Sequence, residues 1–334
     1  MTRRSVTRDD VAALAKTSSA VVSYVVNNGP RQVSAERRDR VLKAMSTLNY
    51  YPNAHARSLA ATETRTLGMI VPNISNAYFA EFALAVEDAA VARDRLVFLG
   101  NSNESPEREE AYISSFLEQH VDGIIFIGVA LKASIGRIIQ SGMSVVVVDR
   151  AIEGSETTSI SIDHRAAAFT ATTHLLEHGH RAIACLTGPV DQAVAEDRRH
   201  GWADALRGAG LDPDQQVQLR SPYSIPDGIE AFNRLASAEG IAPTAMFIAS
   251  DEQARGVIAA AARRSVVVPD DLAIVSVDGT RESQFSNPAL TTVRQPYIRL
   301  AEAAVENVLL PAGSPPTHVL MGADLVVRQS CGCP

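Results

Sequence analysis

The sequence has little cysteine and no long apolar run, and both shortages restrict the class of protein. Three cysteines in 334 residues are too few for a disulfide-stabilised secreted scaffold, which indicates a reducing compartment. No stretch approaches the ~20 apolar residues of a membrane-spanning helix. The N-terminus is basic but lacks the apolar segment and cleavage site of a signal peptide. We therefore expect a cytoplasmic protein.

The motifs of several common enzyme classes are also missing. The sequence contains no G-x-G-x-x-G, no Walker A motif and no G-x-S-x-G, so it shows neither a phosphate-binding loop nor a nucleophile elbow. A pair of acidic residues remains open as a glycosidase alternative, because a single sequence does not show how far apart two carboxylates lie. We expect no enzymatic activity and no cofactor.

Two groups of metal-ligating residue types occur, and we assign neither to a metal. His174 to His178 has the H-x-x-E-H spacing of an inverted zinc-protease motif, but a catalytic zinc also needs a third protein ligand and an open position for water. The segment instead indicates the end of a helix, with Gly179 as its stop signal. Cys331-Gly332-Cys333 would need ligands from elsewhere in the chain, and we interpret it as a frayed tail.

The first 50 residues have the pattern of three short helices. Thr7 is a good N-cap with Asp10 three residues later, as in a capping box, and Val11, Leu14 and Ala15 follow at helical spacing.

After a turn at residues 16–17, Ser18 caps a second helix with an apolar face of Val22, Val25 and Val26. Ser34 then caps a third helix whose inward residues are expected to be Val41, Leu42, Met45 and Leu48. Two short helices across a tight turn, braced by a third, form a helix-turn-helix. The small residues of its second helix would let that helix enter a major groove.

The charge distribution supports this interpretation. Residues 1–60 hold ten Lys and Arg against four Asp and Glu, a net charge of +6, whereas the rest of the chain has a net charge of −13. A basic module joined to an acidic body is typical of a polyanion-binding head. The structural alternative is a three-helix subdomain with a solvated basic face, and spacing and charge together favour DNA binding.

From Leu67 onward, short apolar runs alternate with amphipathic segments. We predict strands at 67–71, 96–99, 123–127, 144–148, 159–162, 182–187, 244–249 and 273–277. We predict helices near 78–93, 106–119, 131–140, 164–178, 196–209, 226–238, 252–263 and 297–310. This alternation indicates parallel sheets with right-handed crossovers, and the two sets of strands, before and after about residue 163, predict two similar lobes.

Polar residues recur immediately after the predicted strands, where ligands bind in such folds. They are Asn73, Ser75, Asn76, Asn101, Asp149, Arg150, Asp163, Ser250, Asp251 and Asp278. Carboxylates and amides beside aromatic residues suit a polyhydroxylated or heterocyclic ligand, and the aromatic candidates are Phe79, Trp202 and Tyr223. Asp163 and Asp251 are equally well explained as helix N-caps, so it is the set as a whole that predicts a cleft.

Two runs in the head, DVAALAKTSSAVVSYVVN and RQVSAERRDRVLKAMSTLNYYPNAHARSLA, resemble the LacI/GalR (lac-repressor/galactose-repressor) family of bacterial transcription factors. The similarity continues in family order through TLGMIVPNISNAYFAE, EHGHRAIACLTGP and VPDDLAIVSVDG, and it covers essentially the whole chain. It implies an α/β protein with an N-terminal helix-turn-helix (all-α) head, a hinge helix, and a two-lobed periplasmic-binding-protein-like (type I) body of parallel sheets.

The resemblance also implies the domain boundaries. The helix-turn-helix domain would occupy residues 1–60, with the hinge helix at 53–60 and a linker at 61–66. An effector-binding and dimerisation domain would follow at 67–330. Its first lobe would comprise about 67–162 plus 292–320, and its second lobe 163–291 plus the C-terminal segment.

DNA contacts are expected from the second helix and its surroundings, at Thr7, Ser18, Ser19, Ala20, Ser23, Tyr24, Asn27, Ser34 and Tyr50. The resemblance adds the hinge-helix residues Asn53, Ala56, Arg57 and Leu59. Leu59 matches the leucine that the family inserts into the minor groove. So short a helix is not stable alone in water, and a plain linker is the alternative. At Lys16, Thr17, Val21 and Tyr24 the head departs from the usual Gly, Val, Thr and Arg, so the operator sequence does not carry over.

For the effector, the resemblance implies a pocket formed by Phe79, Arg198, Tyr223, Ser250, Asp278 and Gln295, and the strand-end pattern adds Asn73 and Asp163. A charged donor, Arg198, and an acceptor, Asp278, suit vicinal hydroxyl groups. Gln192 and Val194 stand where purine-responsive relatives carry arginine and threonine. This departure disfavours a purine and favours a sugar or sugar derivative.

We therefore expect a nucleoid-associated transcriptional regulator, a repressor that binds a palindromic double-stranded DNA operator as a homodimer under the control of a small carbohydrate. The absence of a heptad tail after Val327 favours a dimer over a tethered tetramer. A solute-binding protein with the same body is one alternative, which the helix-turn-helix opposes. A sugar-processing enzyme is the other, and ligand turnover would reveal it.

Overall fold

The computed structural model describes residues 6–27, 32–50, 64–128, 131–149, 157–238, 242–311 and 313–333. The chain divides into two compact units, Met1–Thr64 and Arg65–Pro334, and each unit has its own buried core. Within the described ranges, no helix is long and apolar enough to cross a membrane.

The first unit contains the helices α1 (Arg8–Leu14), α2 (Ser19–Asn27) and α3 (Ala35–Leu48). The predicted capping box is present: Thr7 Oγ1 accepts a hydrogen bond from the backbone N of Asp10 at 3.3 Å, and the Asp10 carboxylate accepts from Thr7 N at 2.8 Å. Ser18 caps α2 by accepting from Val21 N at 3.4 Å. Lys16, in the turn between α1 and α2, has a φ of 50°, the left-handed conformation that reverses the chain. These local signals produce the predicted helix-turn-helix.

The core of this unit differs from the predicted one at two leucines. Its fully buried residues are Val11, Ala12, Ala15, Val22, Val25, Val41 and Ala44. Leu42 was predicted to point inward, and Leu14 was part of the apolar helical pattern with Val11 and Ala15, but each of the two leucines is 50% exposed. Ala12 and Ala44 take the inward positions on α1 and α3, because three short helices pack closely around small side chains. Ser34 stands at the N-cap of α3 without making a side-chain capping hydrogen bond.

The second unit is built on two six-stranded sheets. The strands of the first sheet are β1 (Thr66–Val71), β2 (Leu96–Asn101), β3 (Gly123–Phe126), β4 (Val145–Val148), β5 (Thr158–Ile162) and β11 (His318–Met321). Those of the second sheet are β6 (Ile183–Thr187), β7 (Gln218–Arg220), β8 (Ala245–Ile248), β9 (Ala273–Asp278), β10 (Thr291–Arg294) and β12 (Asp324–Val326). The strand orders are β11-β5-β4-β3-β1-β2 and β12-β10-β9-β8-β6-β7.

Helices connect these strands as predicted. They are α4 (Ala77–Val91), α5 (Pro106–Glu118), α6 (Leu131–Gln140), α7 (His164–Glu177), α8 (Ala193–Gly208), α9 (Ile225–Ser237), α10 (Asp251–Arg263) and α11 (Tyr297–Val308). Every strand pair is parallel except β10 with β12. Helical crossovers between parallel strands bring the carboxyl ends of each sheet to one edge.

The chain passes between the two lobes after β5, after β10 and after β11. The boundary expected at residue 292 is therefore wrong. It lies inside β10, which pairs with β9 and β12, so the second lobe continues through Arg294. Strands β7, β10, β11 and β12 were not predicted, because runs of three or four residues with mixed polarity carry little periodic signal.

The segment after β12 is packed against the second lobe, so the expectation of a frayed tail is wrong. Ser330 Oγ donates to the carbonyl of Ile274 at 2.7 Å and accepts from the backbone N of Thr291 at 2.8 Å. Cys331 is 1% exposed and belongs to the main core. Hydrogen bonds to β9 and β10 order this segment. Its local sequence has no pattern that predicts these partners.

Candidate functional site

A cleft lies between the two lobes, at the carboxyl edges of both sheets. Its lining residues are Pro72, Asn73, Asn76, Tyr78, Phe79, Glu104, Ile127, Gly128, Val148, Asp149, Gln192, Val194, Arg198, Tyr223, Ser250 and Asp278. The space that no protein atom fills amounts to about 800 Å³, counting the open mouth. A cleft lined by carboxylate, amide, guanidinium and aromatic side chains suits a small polar ligand.

Six of the eight residues predicted for the effector site line this cleft: Asn73, Phe79, Arg198, Tyr223, Ser250 and Asp278. The other two do not. Asp163 is exposed and caps α7, accepting from the backbone N of Ala166 at 2.8 Å. Gln295 is buried behind the cleft, where its Nε2 donates to Asp278 Oδ1 at 2.9 Å. Gln295 therefore positions Asp278 from within the protein.

Asp251 and Trp202, which the strand-end pattern placed near the cleft, lie in the interior. The Asp251 carboxylate accepts four hydrogen bonds at 2.6–2.8 Å, from the hydroxyls of Ser276 and Thr292 and from the backbone N and hydroxyl of Thr280. Trp202 is fully buried and donates to the carbonyl of Ile183. Both residues have structural roles.

Arg198, on α8, is the central cation of the cleft and is 4% exposed. Its Nη1 donates to the carbonyl of Ala249 at 2.6 Å, and its Nη2 lies 3.2 Å from His164 Nδ1. The guanidinium carbon lies 5.9 Å from the ring centroid of Tyr223, within range of a cation–π interaction. Burial lowers the pKa of Arg198, but electrostatic interactions with Asp278, Tyr223, Asp149 and Tyr78 together outweigh that effect and hold the pKa above its usual value.

Asp278, at the end of β9, is the acidic counterpart. Its Oδ1 lies 3.9 Å from Arg198 Nη2, and its Oδ2 accepts from the backbone N of Asp251 at 3.3 Å. Burial raises the pKa of Asp278 to about 8, and the positive charge of Arg198 only partly offsets that effect. A ligand that changes hydration in the cleft would therefore change the protonation of Asp278 near neutral pH.

Two buried polar atoms in the cleft have no hydrogen-bond partner among the described residues, Arg198 Nε and the Tyr223 hydroxyl. An unpaired buried donor is destabilising by about 1–3 kcal/mol, so folded proteins rarely retain one without a reason. Burial raises the pKa of Tyr223 to about 12, so its hydroxyl stays protonated. The two atoms thus leave open positions for polar groups of a ligand.

Tyr223 is held in place by a buried amide. Gln253 Nε2 donates to the carbonyls of Ser221 and Pro222 at 3.0 and 3.2 Å, which fixes the loop immediately before Tyr223. On the opposite side, a Cβ at Gly188 would collide with the Tyr223 ring. The position of the Tyr223 ring therefore depends on the Gln253 amide, which holds the loop, and on the absence of a side chain at Gly188.

Three residues at the cleft were not assigned to the effector site from sequence. The Tyr78 hydroxyl donates to Gln295 Oε1 at 3.1 Å, and burial raises the pKa of Tyr78 well above its usual value. His164 Nε2 lies 2.8 Å from the carbonyl oxygen of Asp149. The position of Asp149 after β4 was a usable signal, whereas Tyr78 looks like a core aromatic and His164 like an ordinary first residue of a helix.

The second candidate site is the exposed surface of α2 in the first unit. Ala20 is exposed, while Ser23 and Tyr24 are half-buried on the same side of the helix. Ser19 Oγ donates to Asp9 Oδ1 at 2.5 Å, which joins α2 to α1. Asn27 is the last residue of α2. The structure therefore presents a helix with a small-residue outer face, as the sequence predicted.

The remaining predicted DNA contacts flank this helix or lie outside the described ranges. Thr7, Ser18 and Ser34 are exposed at the N-cap positions of α1, α2 and α3. Tyr50 is half-buried and packs against the core of the unit. The hinge-helix candidates Asn53, Ala56, Arg57 and Leu59 fall in residues 51–63, which the structure does not describe.

Two protein-family models match this chain. Residues 7–53 match the model of bacterial regulatory proteins of the lacI family, and residues 172–331 match the periplasmic binding protein-like domain. Catabolite control protein A of Priestia megaterium is 36% identical over 303 residues, covering 90% of this chain and 91% of that protein. Its counterpart from Staphylococcus xylosus is 38% identical over 293 residues, covering 87% and 88%.

Solved structures resemble the whole chain. The lac repressor dimer bound to operator and the anti-inducer ONPF is 26% identical with a TM-score of 0.86, over 98% of this chain and 99% of that one. The complex of the transcriptional regulator CelR with cellobiose is 25% identical with a TM-score of 0.73, over 98% and 100%.

Proposed function

Because the chain belongs to the LacI family of bacterial regulatory proteins, we propose that it is a repressor whose operator binding is controlled by a small carbohydrate in the interlobe cleft. The relatives are transcription regulators and not enzymes, and we assign no catalytic step to the cleft. We place the protein in the cytoplasm, on the nucleoid, bound as a homodimer to a palindromic operator.

The observation that carries the effector proposal is the pair of unpartnered donors beside Asp278. Arg198 Nε and the Tyr223 hydroxyl are buried without an acceptor in the described part of the chain, and Asp278 lies next to Arg198. A sugar hydroxyl both donates and accepts, so two neighbouring hydroxyls satisfy the donors and the carboxyl group together. The half-buried ring of Phe79 supplies an apolar face for the carbon side of a sugar ring.

For DNA binding we propose that α2 reads the major groove through Ala20, Ser23 and Tyr24. The small side chains of Ala20 and Ser23 let the helix backbone approach the base edges. The net charge of +6 on residues 1–60 supplies attraction to phosphate. We further propose that residues 53–60 form a hinge helix whose Leu59 enters the minor groove, a role that rests on the family resemblance.

For the dimer we propose an interface on the first lobe. Five large apolar side chains, each at least 44% exposed, lie on α4 and on the adjacent edge strand β2: Leu84, Val91, Leu96, Phe98 and Leu99. An apolar patch on an edge strand is a liability for a monomer and normally marks an interface. A second copy of this chain is the expected occupant, since a palindromic operator requires two heads related by a twofold axis.

Control follows from the position of the ligand between lobes. Asn76 Nδ2, in the first lobe, donates to the carbonyl of Tyr223, in the second, at 3.4 Å. A ligand that bridges the same two sides changes how closely the lobes approach each other. Operator affinity then shifts by the coupling free energy between the two sites, typically about 1–3 kcal/mol.

The test screens small sugars, nucleosides and amino acids by thermal shift, and then measures operator affinity with and without each hit. We expect a sugar to raise the Tm and to change operator affinity about 5-fold or more. Arg198→Lys, which loses the guanidinium Nε, should abolish both effects. Arg207→Lys is the matched control, because Arg207 lies on the same helix but pairs with Asp204 at the surface.

Three results would contradict the proposal. Stabilisation by a nucleoside alone would move the ligand class away from carbohydrates. Equal loss of sugar binding in Arg198→Lys and Arg207→Lys would place the ligand elsewhere. Turnover of the bound sugar would indicate an enzyme.

A further inference from the structure

Four metal-ligating side chains from distant parts of the chain meet at the surface of the second lobe. His174 is on the last turn of α7 and His178 is its C-cap, while Cys331 and Cys333 lie in the segment after β12. One ligand atom of each lies within 4.8 Å of those of the other three. Cys333 Sγ is 3.3 Å from His178 Nε2 and 3.9 Å from His174 Nε2.

The fold arranges these residues through two local features. His174 and His178 are one helical turn apart, so their rings lie on the same face of α7, with centroids separated by 4.6 Å. Opposite them, Ser330 anchors the segment to β9 and β10, and Gly332, at φ 93°, turns the chain between the two cysteines. Both sulfur atoms consequently face the histidine rings.

The distances between the ligand atoms approach those of a tetrahedral metal centre. Zinc binds sulfur at about 2.3 Å and nitrogen at about 2.0–2.1 Å, so neighbouring ligand atoms in a tetrahedron are roughly 3.3–3.8 Å apart. The Cys333–His178 separation of 3.3 Å is at the lower end of that range, the Cys333–His174 separation of 3.9 Å lies just above it, and no pair of ligand atoms is more than 4.8 Å apart. Small rotations of the side chains are sufficient to close the site.

We propose that His174, His178, Cys331 and Cys333 bind one Zn²⁺ ion in a structural site. Two thiolates and two imidazoles in a tetrahedral arrangement are a donor set that selects zinc. Four protein ligands leave no open position for water, so the site is closed and the H-x-x-E-H segment does not form a hydrolytic centre. Each cysteine releases its thiol proton to solvent when the ion binds.

The surroundings of the ligands suit this role. Cys331 is 1% exposed, and its sulfur accepts a hydrogen bond from Thr291 Oγ1 at 3.1 Å, an interaction that stabilises a metal-bound thiolate and fixes its direction. Cys333 is half-buried and His178 is exposed, so the ion has a path from solvent. The expectation from sequence that these residues bind no metal treated the two motifs separately, and the fold brings them together.

The consequence is a cross-link between two elements that are about 150 residues apart in sequence. The ion would tie the end of α7 to the segment after β12, both of which pack on the second sheet. The first residue of α7, His164, is at the effector cleft, ten residues before His174. At a rise of about 1.5 Å per residue, the zinc site is about 15 Å from the cleft. The metal therefore stabilises the second lobe without contacting the effector.

The test uses the full-length chain, stripped with chelator and kept reduced. Co²⁺ should produce the intense visible bands of a tetrahedral ion, with thiolate-to-cobalt charge transfer, at one ion per chain. Zn²⁺ should displace it and raise the Tm by about 5 °C or more. Cys333→Ser and His178→Gln should each weaken Zn²⁺ binding about 100-fold or more, since even outer-shell changes weaken metal sites 10–100-fold.

Two matched variants serve as controls. His180→Gln removes a neighbouring histidine that is hydrogen-bonded to Thr244, and Cys185→Ala removes the third thiol, which is buried in β6. Both should bind Zn²⁺ like the wild type. Absence of thiolate charge transfer with Co²⁺, or equal Zn²⁺ affinity in Cys333→Ser and His180→Gln, would overturn the proposal. The proposal would also be overturned if a chain that takes up no metal lost the free thiols of Cys331 and Cys333 by oxidation in air.

Discussion

Asp278 Oδ1 lies 3.9 Å from Arg198 Nη2, and both side chains are about 95% buried. The separation is too long for a hydrogen bond, so each charge keeps hydrogen-bonding capacity for a third group. Asp278 also has a φ of 128°, a conformation that a residue with a side chain adopts only under strain. An Arg–Asp pair in a cleft that is incompletely hydrogen-bonded and has a strained backbone is typical of a site that a ligand completes.

The first prediction concerns pH. The folded pKa of Asp278, about 8, lies above the usual value of 3.8, so the folded state retains a proton that the unfolded state releases. The stability that this proton contributes is fully present below about pH 4 and is lost as the pH rises through about 8. Between about pH 5 and pH 7.5, we expect the free energy of unfolding of the wild type to fall relative to Asp278→Asn by about 1 kcal/mol per pH unit. Chemical denaturation of both proteins measures this slope, and a constant difference across the range would contradict it.

The second prediction compares two tyrosine-to-phenylalanine variants that should change the free energy of unfolding in opposite directions. Tyr223→Phe removes a buried hydroxyl that lacks a partner within the described ranges, so the free energy of unfolding without ligand should stay the same or rise by about 1 kcal/mol. Tyr78→Phe removes the donor to Gln295 and should lower it by about 1–2 kcal/mol. Calorimetry should also show sugar affinity about 10-fold weaker in Tyr223→Phe. Destabilisation by both variants would indicate that the Tyr223 hydroxyl already has a partner.

The third prediction tests how Tyr223 is positioned. A methyl group at residue 188 would collide with the Tyr223 ring, so Gly188→Ala should displace the ring and weaken sugar binding about 10-fold or more. Gly136→Ala is the control, because a Cβ there meets no atom within 4 Å, and a helical glycine replaced by alanine gains about 0.5–1 kcal/mol of stability. Titration of both variants with the sugar separates the effects. Wild-type affinity in Gly188→Ala would show that the ring position is unimportant.

The fourth prediction concerns base recognition. Ala20→Gln and Tyr24→Arg change side chains on the outer side of α2, so each should alter the preferred operator half-site, at about 1–3 kcal/mol per changed base contact. Non-specific affinity should change less, because it depends on phosphate charge. Selection from random DNA measures the preference, with Ser46→Gln on the exposed side of α3 as control. An unchanged half-site in both variants would exclude α2 as the reading helix.

Local chemistry allowed the sequence to predict the helices, eight of the twelve strands and their order in the described ranges. The capping box of Thr7 and Asp10 lies within four residues, and it forms as predicted. The alternation of apolar runs and amphipathic segments predicted two parallel sheets because crossover geometry leaves few other topologies. The inward or outward direction of Leu14 and Leu42 was not predictable, since that choice depends on how closely three helices pack.

The cleft was predictable only in part, for a related reason. A polar residue after a strand either caps the next helix or faces the cleft, and the two uses share one local pattern. Asp163 took the first role and Asp278 the second. The hydrogen bond that holds Asp278 comes from Gln295, which is 17 residues later in the sequence, and its Nε2 lies 2.9 Å from Asp278 Oδ1 in the fold. No local pattern in the sequence shows this contact.

The amino-acid sequence by itself determined the helices and the eight strongly apolar strands of this chain, because capping and periodicity act over about ten residues or fewer. The four short strands of mixed polarity, β7, β10, β11 and β12, were decided by their pairing in the fold. Only the tertiary structure decided which side chains meet across long separations. His178 and Cys333 are 155 residues apart and their ligand atoms lie 3.3 Å from each other. Arg198, on α8, lies 3.9 Å from Asp278 at the end of β9. Both contacts depend on how segments pack on the second sheet. Burial of apolar area drives that packing, and because this effect is non-directional, the local sequence does not show which distant segments will meet.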